Sequence, residues 1–221
     1  VILNSYSSTE KVIKELKLGL SYYQHGFLKT NELFENSPFI VTFDSTHNQL
    51  TGTGFEIEIL SENEFKLKTT TEDLFPYNLI TEKFDKSLLA NIDIDETYEF
   101  GKEITTDYFS LRLDKSIFYN LEKIEKSNLN FSFKLHQTSK LAHKLINDIT
   151  VNPINKETSI LKLNIKGKTP KKNIIILDKI TEIYIRSGLD EKNIMAVNTI
   201  HFIDDQLEVI QDSLTIIENK I

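Results

Sequence analysis

The residues with the right chemistry for a catalytic or metal site are few and poorly spaced. An imidazole can ligate a metal or move a proton near neutral pH. The five histidines are His25, His47, His136, His143 and His201, and none has metal-ligand spacing to another along the chain. They read as surface or core-rim residues. Asp93-Ile94-Asp95-Glu96 has the acidic look of a calcium loop, but such a loop needs Gly at its sixth position and Glu at its twelfth. Counting from Asp93, those positions hold Tyr98 and Ile104, so the run reads as a solvent-facing strand edge. Gly167-Lys168-Thr169 mimics the end of a phosphate-binding loop. The glycine that motif needs five positions earlier is Lys162, and Pro170 follows directly, so it reads as a strand-to-helix turn. Gly-x-Ser-x-Gly is absent, and there is no cysteine to act as nucleophile or to form a zinc-thiolate site. No catalytic, cofactor-binding or metal-ligating set emerges, and the chain is expected to be non-enzymatic. Lys162, Lys166, Lys168, Lys171, Lys172 and Lys179 cluster near that turn and read as solvated surface. Tyr98, Phe100 and Tyr108 remain as possible glycan contacts, because sugar sites set aromatics beside polar groups. They leave a glycan-binding module as the alternative function.

Composition narrows the partners. The chain has 221 residues, 39% apolar and 27% charged, which suits folded domains rather than a disordered tail. Its formal charge of -7 makes nucleic acid and anionic membrane surfaces poor partners. No run of about 18 apolar residues offers a membrane span. Val1 in place of a Met predicts a segment of a longer protein.

The elements that must carry any site fall into three regions. A short first helix is predicted from Ser7 and Glu10 at capping-box spacing and from Val12, Ile13 and Leu16 on one face, with Gly19 as its stop. A ragged strand is expected over 18–27 and a helical turn over 30–35. Residues 38–135 then alternate in the manner of half-buried strands, as in Phe39-Val41-Phe43, Phe55-Ile57-Ile59, Leu111-Leu113 and Phe131-Phe133-Leu135. Six or seven short antiparallel strands in a sandwich or small barrel are predicted there. The last third turns helical over 138–149, forms a strand over 160–165, and starts a helix at Thr169-Pro170 with Ile174, Leu177, Ile180 and Tyr184 as its stripe. The predicted fold is α+β. An α/β base (1–37 and 136–189) carries a β-rich insertion (38–135) and a long C-terminal helix from 190 to 221.

That last helix is the most informative element. Ala196, Ile200, Ile203, Leu207, Ile210, Leu214, Ile217 and Ile221 follow steps of four and three without a break, which is a coiled-coil seam. Residues 190–221 would extend about 48 Å at 1.5 Å per residue, more than a small base can cover. Ile203, Leu207, Ile210 and Leu214 are the predicted contact stripe with another helix. No Gly, Asn or Pro marks a stop, so the helix is expected to continue.

Several segments resemble the periplasmic region of the bacterial polysaccharide chain-length determinant and export family, in particular the branch with a cytoplasmic tyrosine autokinase. They are 10–18 (Glu10 to Leu18), 21–34 (Ser21 to Phe34), Ser37-Pro38-Phe39, Thr169-Pro170 with Leu177, Ile183 and Tyr184, and 190–193 (Asp190 to Asn193). The most specific is 198–207 (Asn198 to Leu207). The matches cover both ends of the chain, about half of it. The resemblance implies a parent anchored in the inner membrane by two flanking transmembrane helices, with this part on the periplasmic side. It also implies assembly as a homo-oligomeric ring that sets polysaccharide chain length or couples synthesis to export. Any kinase site would lie beyond the second membrane helix, outside these residues.

Overall fold

The computed structural model describes residues 3, 5–26, 29–127, 129–155 and 160–218, with side chains through 212 except that of Ser127. The chain runs α1 (Tyr6–Glu15), β1 (Leu20–His25), β2 (Thr30–Leu33), β3 (Phe39–Phe43), β4 (Asn48–Gln49), β5 (Gly54–Ile59), β6 (Glu64–Leu74), β7 (Tyr77–Asn78), β8 (Lys83–Phe84), β9 (Ala90–Glu99), β10 (Glu103–Thr105) and β11 (Ser110–Lys115). It continues through α2 (Leu121–Ser127), β12 (Asn130–Leu135), α3 (Thr138–Asp148), β13 (Ile149–Pro153), β14 (Leu161–Ile165) and α4 (Pro170–Glu218). The fold is α+β, with several sheets and a long C-terminal helix.

Two hydrophobic clusters organise it. The first lies between a six-stranded antiparallel sheet, β2-β1-β12-β5-β6-β9, and a three-stranded one, β10-β11-β3. Period-two alternation builds it: Phe55, Ile57 and Ile59 point in while Glu56 and Glu58 point out. Phe39 crosses the gap to meet Phe131 at 6.1 Å and Phe133 at 6.4 Å, both edge-on, and Phe55 stacks on Phe133 at 4.8 Å. Offset and edge-on rings are the arrangements favoured by the aromatic quadrupole. The second cluster is helical. Val12 and Ile13 of α1, Ala142 and Leu145 of α3, and Ile176, Ile180 and Ile183 of α4 close over the β13-β14 hairpin.

Several local expectations are corrected. Residues 30–33 form a strand rather than a helical turn, paired through Tyr22↔Leu33 and His25↔Thr30. β1 pairs with β12 from Leu20↔Leu135 to His25↔Asn130, so β1 and β2 belong to the six-stranded sheet although they fall within 1–37, the stretch assigned to the base. The reason is burial: Leu20, Tyr22 and Leu33 pack on the first cluster, and the Tyr22 hydroxyl accepts from the Val41 backbone N–H at 3.0 Å. Helix α1 is capped by Ser5, whose hydroxyl accepts from the Ser8 N–H, and not by Ser7. It stops before Gly19. Lys17 takes a left-handed φ of 51°, the Leu18 N–H reaches the Ile13 carbonyl and the Lys17 N–H reaches Lys14, a Schellman end.

The two helices expected in the last third are one, 49 residues from Pro170 to Glu218 and about 73 Å long. No proline interrupts 185–189, so the helical ladder runs straight through the anticipated boundary. The buried stripe of its first half is Ile176, Ile180 and Ile183, whereas Ile174 and Tyr184 are exposed. The run Ile174-Ile175-Ile176-Leu177 is apolar on every side, so periodicity alone does not choose which face docks.

Candidate helix interface

The base half of α4 is fixed by apolar contact and ion pairs. Its buried isoleucines face α1, and its polar flank meets α1 and β2. Arg186 pairs with Glu15, Lys172 with Glu32, and Lys171 with Glu35 at 2.5 Å. Thr169 donates to the other Glu32 oxygen at 3.0 Å. Burial acts to raise the Glu32 carboxyl, but the Lys172 hydrogen bond and charge, with help from Thr169 and Lys144, hold it below its ordinary value.

The distal half touches none of this. Every side chain from Leu189 to Asp212 is exposed. Ile203, Leu207 and Ile210, three of the four predicted contact residues, are exposed at 50%, 57% and 55%. The side chain of Leu214 lies outside the described residues. At roughly 100° per residue the seam points to about the opposite side of the helix from Ile176, Ile180 and Ile183, so the base could not shelter it even where the two adjoin. Met195, Phe202 and Val209 form a second exposed stripe, each one residue before a seam position. The sequence reading missed them, though their seven-residue spacing was there to see. Two stripes about 100° apart fit contact with more than one helix, where a two-stranded coil needs only one.

The other candidates have structural duties. Tyr98 donates to Glu96 at 2.8 Å, and its phenol is pushed up to about 12 by burial and then by that carboxylate. Phe100 packs on Phe65 at 4.8 Å and meets Tyr119 edge-on at 5.7 Å. Tyr98, Phe100 and Tyr108 all lean on the first cluster as partly buried rim. Tyr98 and Phe100 come together around Phe65.

The Gly167 turn explains its own glycine. A Cβ there would lie 2.3 Å from the Asn173 side chain, which donates to the Gly167 carbonyl at 3.2 Å. Asp93 accepts from Thr70, and Asp95 pairs with Lys66 at 2.8 Å. The histidines are dispersed: His25 bonds Thr30 and Ser132, His47 the Asn48 carbonyl, His136 the Ser21 hydroxyl, and His143 rests against Tyr6. His201 is exposed on distal α4. Among the described residues no helix is long and apolar enough to cross a membrane.

No protein-family model matches the chain, and no curated protein matches it. Among solved structures it is similar to FlgL of Xanthomonas campestris in two crystal forms. One aligns with 9% identity and a TM-score of 0.27 over 92% of this chain and 55% of FlgL. The other aligns with 10% identity and a TM-score of 0.26 over 81% and 51%. The chain thus spans about half the length of the structures it matches, and likeness at this level carries no weight for function.

Proposed function

We propose that this chain is the periplasmic assembly module of an inner-membrane protein that controls polysaccharide chain length or export. In this reading the second cluster is the base of a subunit in a homo-oligomer, and α4 is an arm that packs with other helices. The parent is of the kind that can carry a tyrosine kinase domain elsewhere. The polysaccharide assignment rests on the resemblance of the segments around Ser21–Phe34 and Asn198–Leu207. The assembly role rests on one observation: a helical stretch about 36 Å long, from Leu189 to Asp212, is exposed on all sides and carries the apolar seam from Ala196 to Ile210. Burying a Leu or Ile side chain stabilises by about 1.5–3 kcal/mol, so a few paired turns suffice to hold an arm.

The test is Leu207→Asp in the full-length, membrane-anchored protein. An unpaired carboxylate forced into an apolar seam costs several kcal/mol. The oligomer extracted in mild detergent should dissociate and the polymer length distribution should shift, while urea unfolding of this chain alone stays within about 0.5 kcal/mol of the parent sequence. Unchanged particle mass and polymer length in the variant would refute the reading.

A further inference from the structure

A second feature lies apart from the seam, where the two clusters meet. A cleft of about 230 Å³ opens between β1, the start of α3 and the first turn of α4. Lys140, Lys144 and Lys172 converge on it, with Glu32 as the one carboxylate in its wall. Counting three lysines against one glutamate leaves a formal excess of +2, in a chain whose total is -7. Glu32 is already engaged by Lys172 and Thr169. No salt bridge to Lys140 or Lys144 is found among the described residues. A concave site lined by one sign of charge concentrates its field and gathers the opposite ion.

Other groups in the cleft favour an anion as well. The Gln137 side chain, at the N-cap of α3, makes no capping bond and instead donates to Thr51 at 2.9 Å. The first-turn N–H groups of α3 therefore add their partial positive charge beside Lys140. Ser21 and Tyr23, hydrogen-bonded to each other, add hydroxyls to the lining. His136 lies between, its Nε2 3.1 Å from the Ser21 Oγ. Its imidazole is held down to about 4 by burial, then by the charges of Lys134, Lys172 and Lys144, with Glu32 only partly offsetting them. It is thus neutral near pH 7 and adds no charge to the cleft.

We propose that this cleft binds a small oxyanion, the carboxylate or phosphate of a ligand about the size of one sugar acid. Lys140 and Lys144 supply the uncommitted charge, and Ser21, Tyr23 and His136 supply the orienting polar groups. The site stands independently of the α4 seam and of the assembly reading.

NMR of this chain tests it, following backbone amides and the His136 ring during titration with glucuronate, inorganic phosphate and glucose at constant ionic strength. Saturable shifts at Ser21, His136 and Lys144 with one or both anions, and none with glucose, are expected. Saturation by glucuronate alone identifies a sugar-borne carboxylate, and saturation by phosphate alone a phosphate group. The bound anion should raise the His136 pKa against the field of Lys134, Lys172 and Lys144, with Glu32 the carboxylate that already offsets them in part and Lys140 and Tyr23 the other ionisable groups lining the cleft. The double substitution K140Q/K144Q should weaken binding at least tenfold with thermal unfolding unchanged, and Leu207→Asp should leave binding intact. Absence of saturation by either anion at millimolar concentration, an equal response to glucose, or binding unaltered in K140Q/K144Q would overturn the site.

Discussion

The two halves of α4 share one backbone ladder and similar apolar content, yet they live in different environments. From Pro170 to about Arg186 the helix buries Ile176, Ile180 and Ile183 and sends Lys171, Lys172 and Arg186 to Glu35, Glu32 and Glu15. From Leu189 onward comparable isoleucines and leucines face solvent. Helix propensity therefore does not distinguish the halves; tertiary contact does. The base half is held by its own chain, and the distal half presents the same kind of surface to solvent. Most helical stability in proteins comes from packing an apolar face, and a helix this exposed has forgone that contribution within its own chain.

Truncation separates the halves most sharply. Ile180 is 1% exposed at the centre of the second cluster, and Ile180→Ala should cost about 2–5 kcal/mol in urea unfolding of this chain. Ile203→Ala, the same chemistry on the other half, should cost less than about 1 kcal/mol, since it loses helix contacts but no burial. Equal losses would mean the distal half folds back onto its own chain in solution.

Acid should act at the foot of the base half of α4. His136, beside Lys172 of α4, has its folded pKa lowered from 6.5 to about 4. The unfolded chain then binds more protons than the folded one between those values, so stability falls as pH drops through that window. The loss should reach about 2–3 kcal/mol by pH 4, at 1.36 kcal/mol per unit. Glu32, whose folded pKa is depressed, adds loss in the same direction as pH falls below its ordinary value of 4.5. His136→Gln should flatten the curve between 6.5 and 4 while leaving the Glu32 part. An unchanged slope would show that the imidazole is not shielded from protonation.

How much of this was legible in the sequence follows from the same contrast. Strands with clean alternation, such as Phe55-Ile57-Ile59, declared both their existence and their buried face, because a period of two leaves only one solution. The seam at Ile203, Leu207 and Ile210 was legible because charged residues such as Asp204, Asp205 and Glu208 fill the positions between its members. The docking face of base α4 was not, since Ile174 to Leu177 has no polar side and only the position of α1 selects Ile176. The β2 strand was missed because Thr30 to Leu33 is short and polar, and its pairing with β1 comes from Tyr22↔Leu33 rather than from local preference. Lys17 took the place in the Schellman end where glycine was expected, two residues early, because Ile13 and Leu18 both enter the second cluster. The lysine cleft drew its members from β2, α3 and α4, and no reading along the chain brings Glu32, Lys144 and Lys172 together.

The smallest expected effect falls at the joint between the halves. Gly188 sits mid-helix just beyond Arg186, and a Cβ placed there meets nothing within 4 Å. Glycine in a helix interior is less favourable than alanine by about 0.8–1 kcal/mol, because it exposes backbone and loses more freedom on folding. Gly188→Ala should therefore stiffen the joint and slow amide exchange on both sides of it. The gain should be largest in the distal half, which has no packing to protect it and opens by local fraying rather than with the base. If the joint is instead where a partner helix crosses closely, the same methyl would stabilise this chain alone and weaken the assembled protein. Amide exchange on the isolated chain, set beside particle mass in the full-length protein, separates a joint that is merely exposed from one that another helix uses.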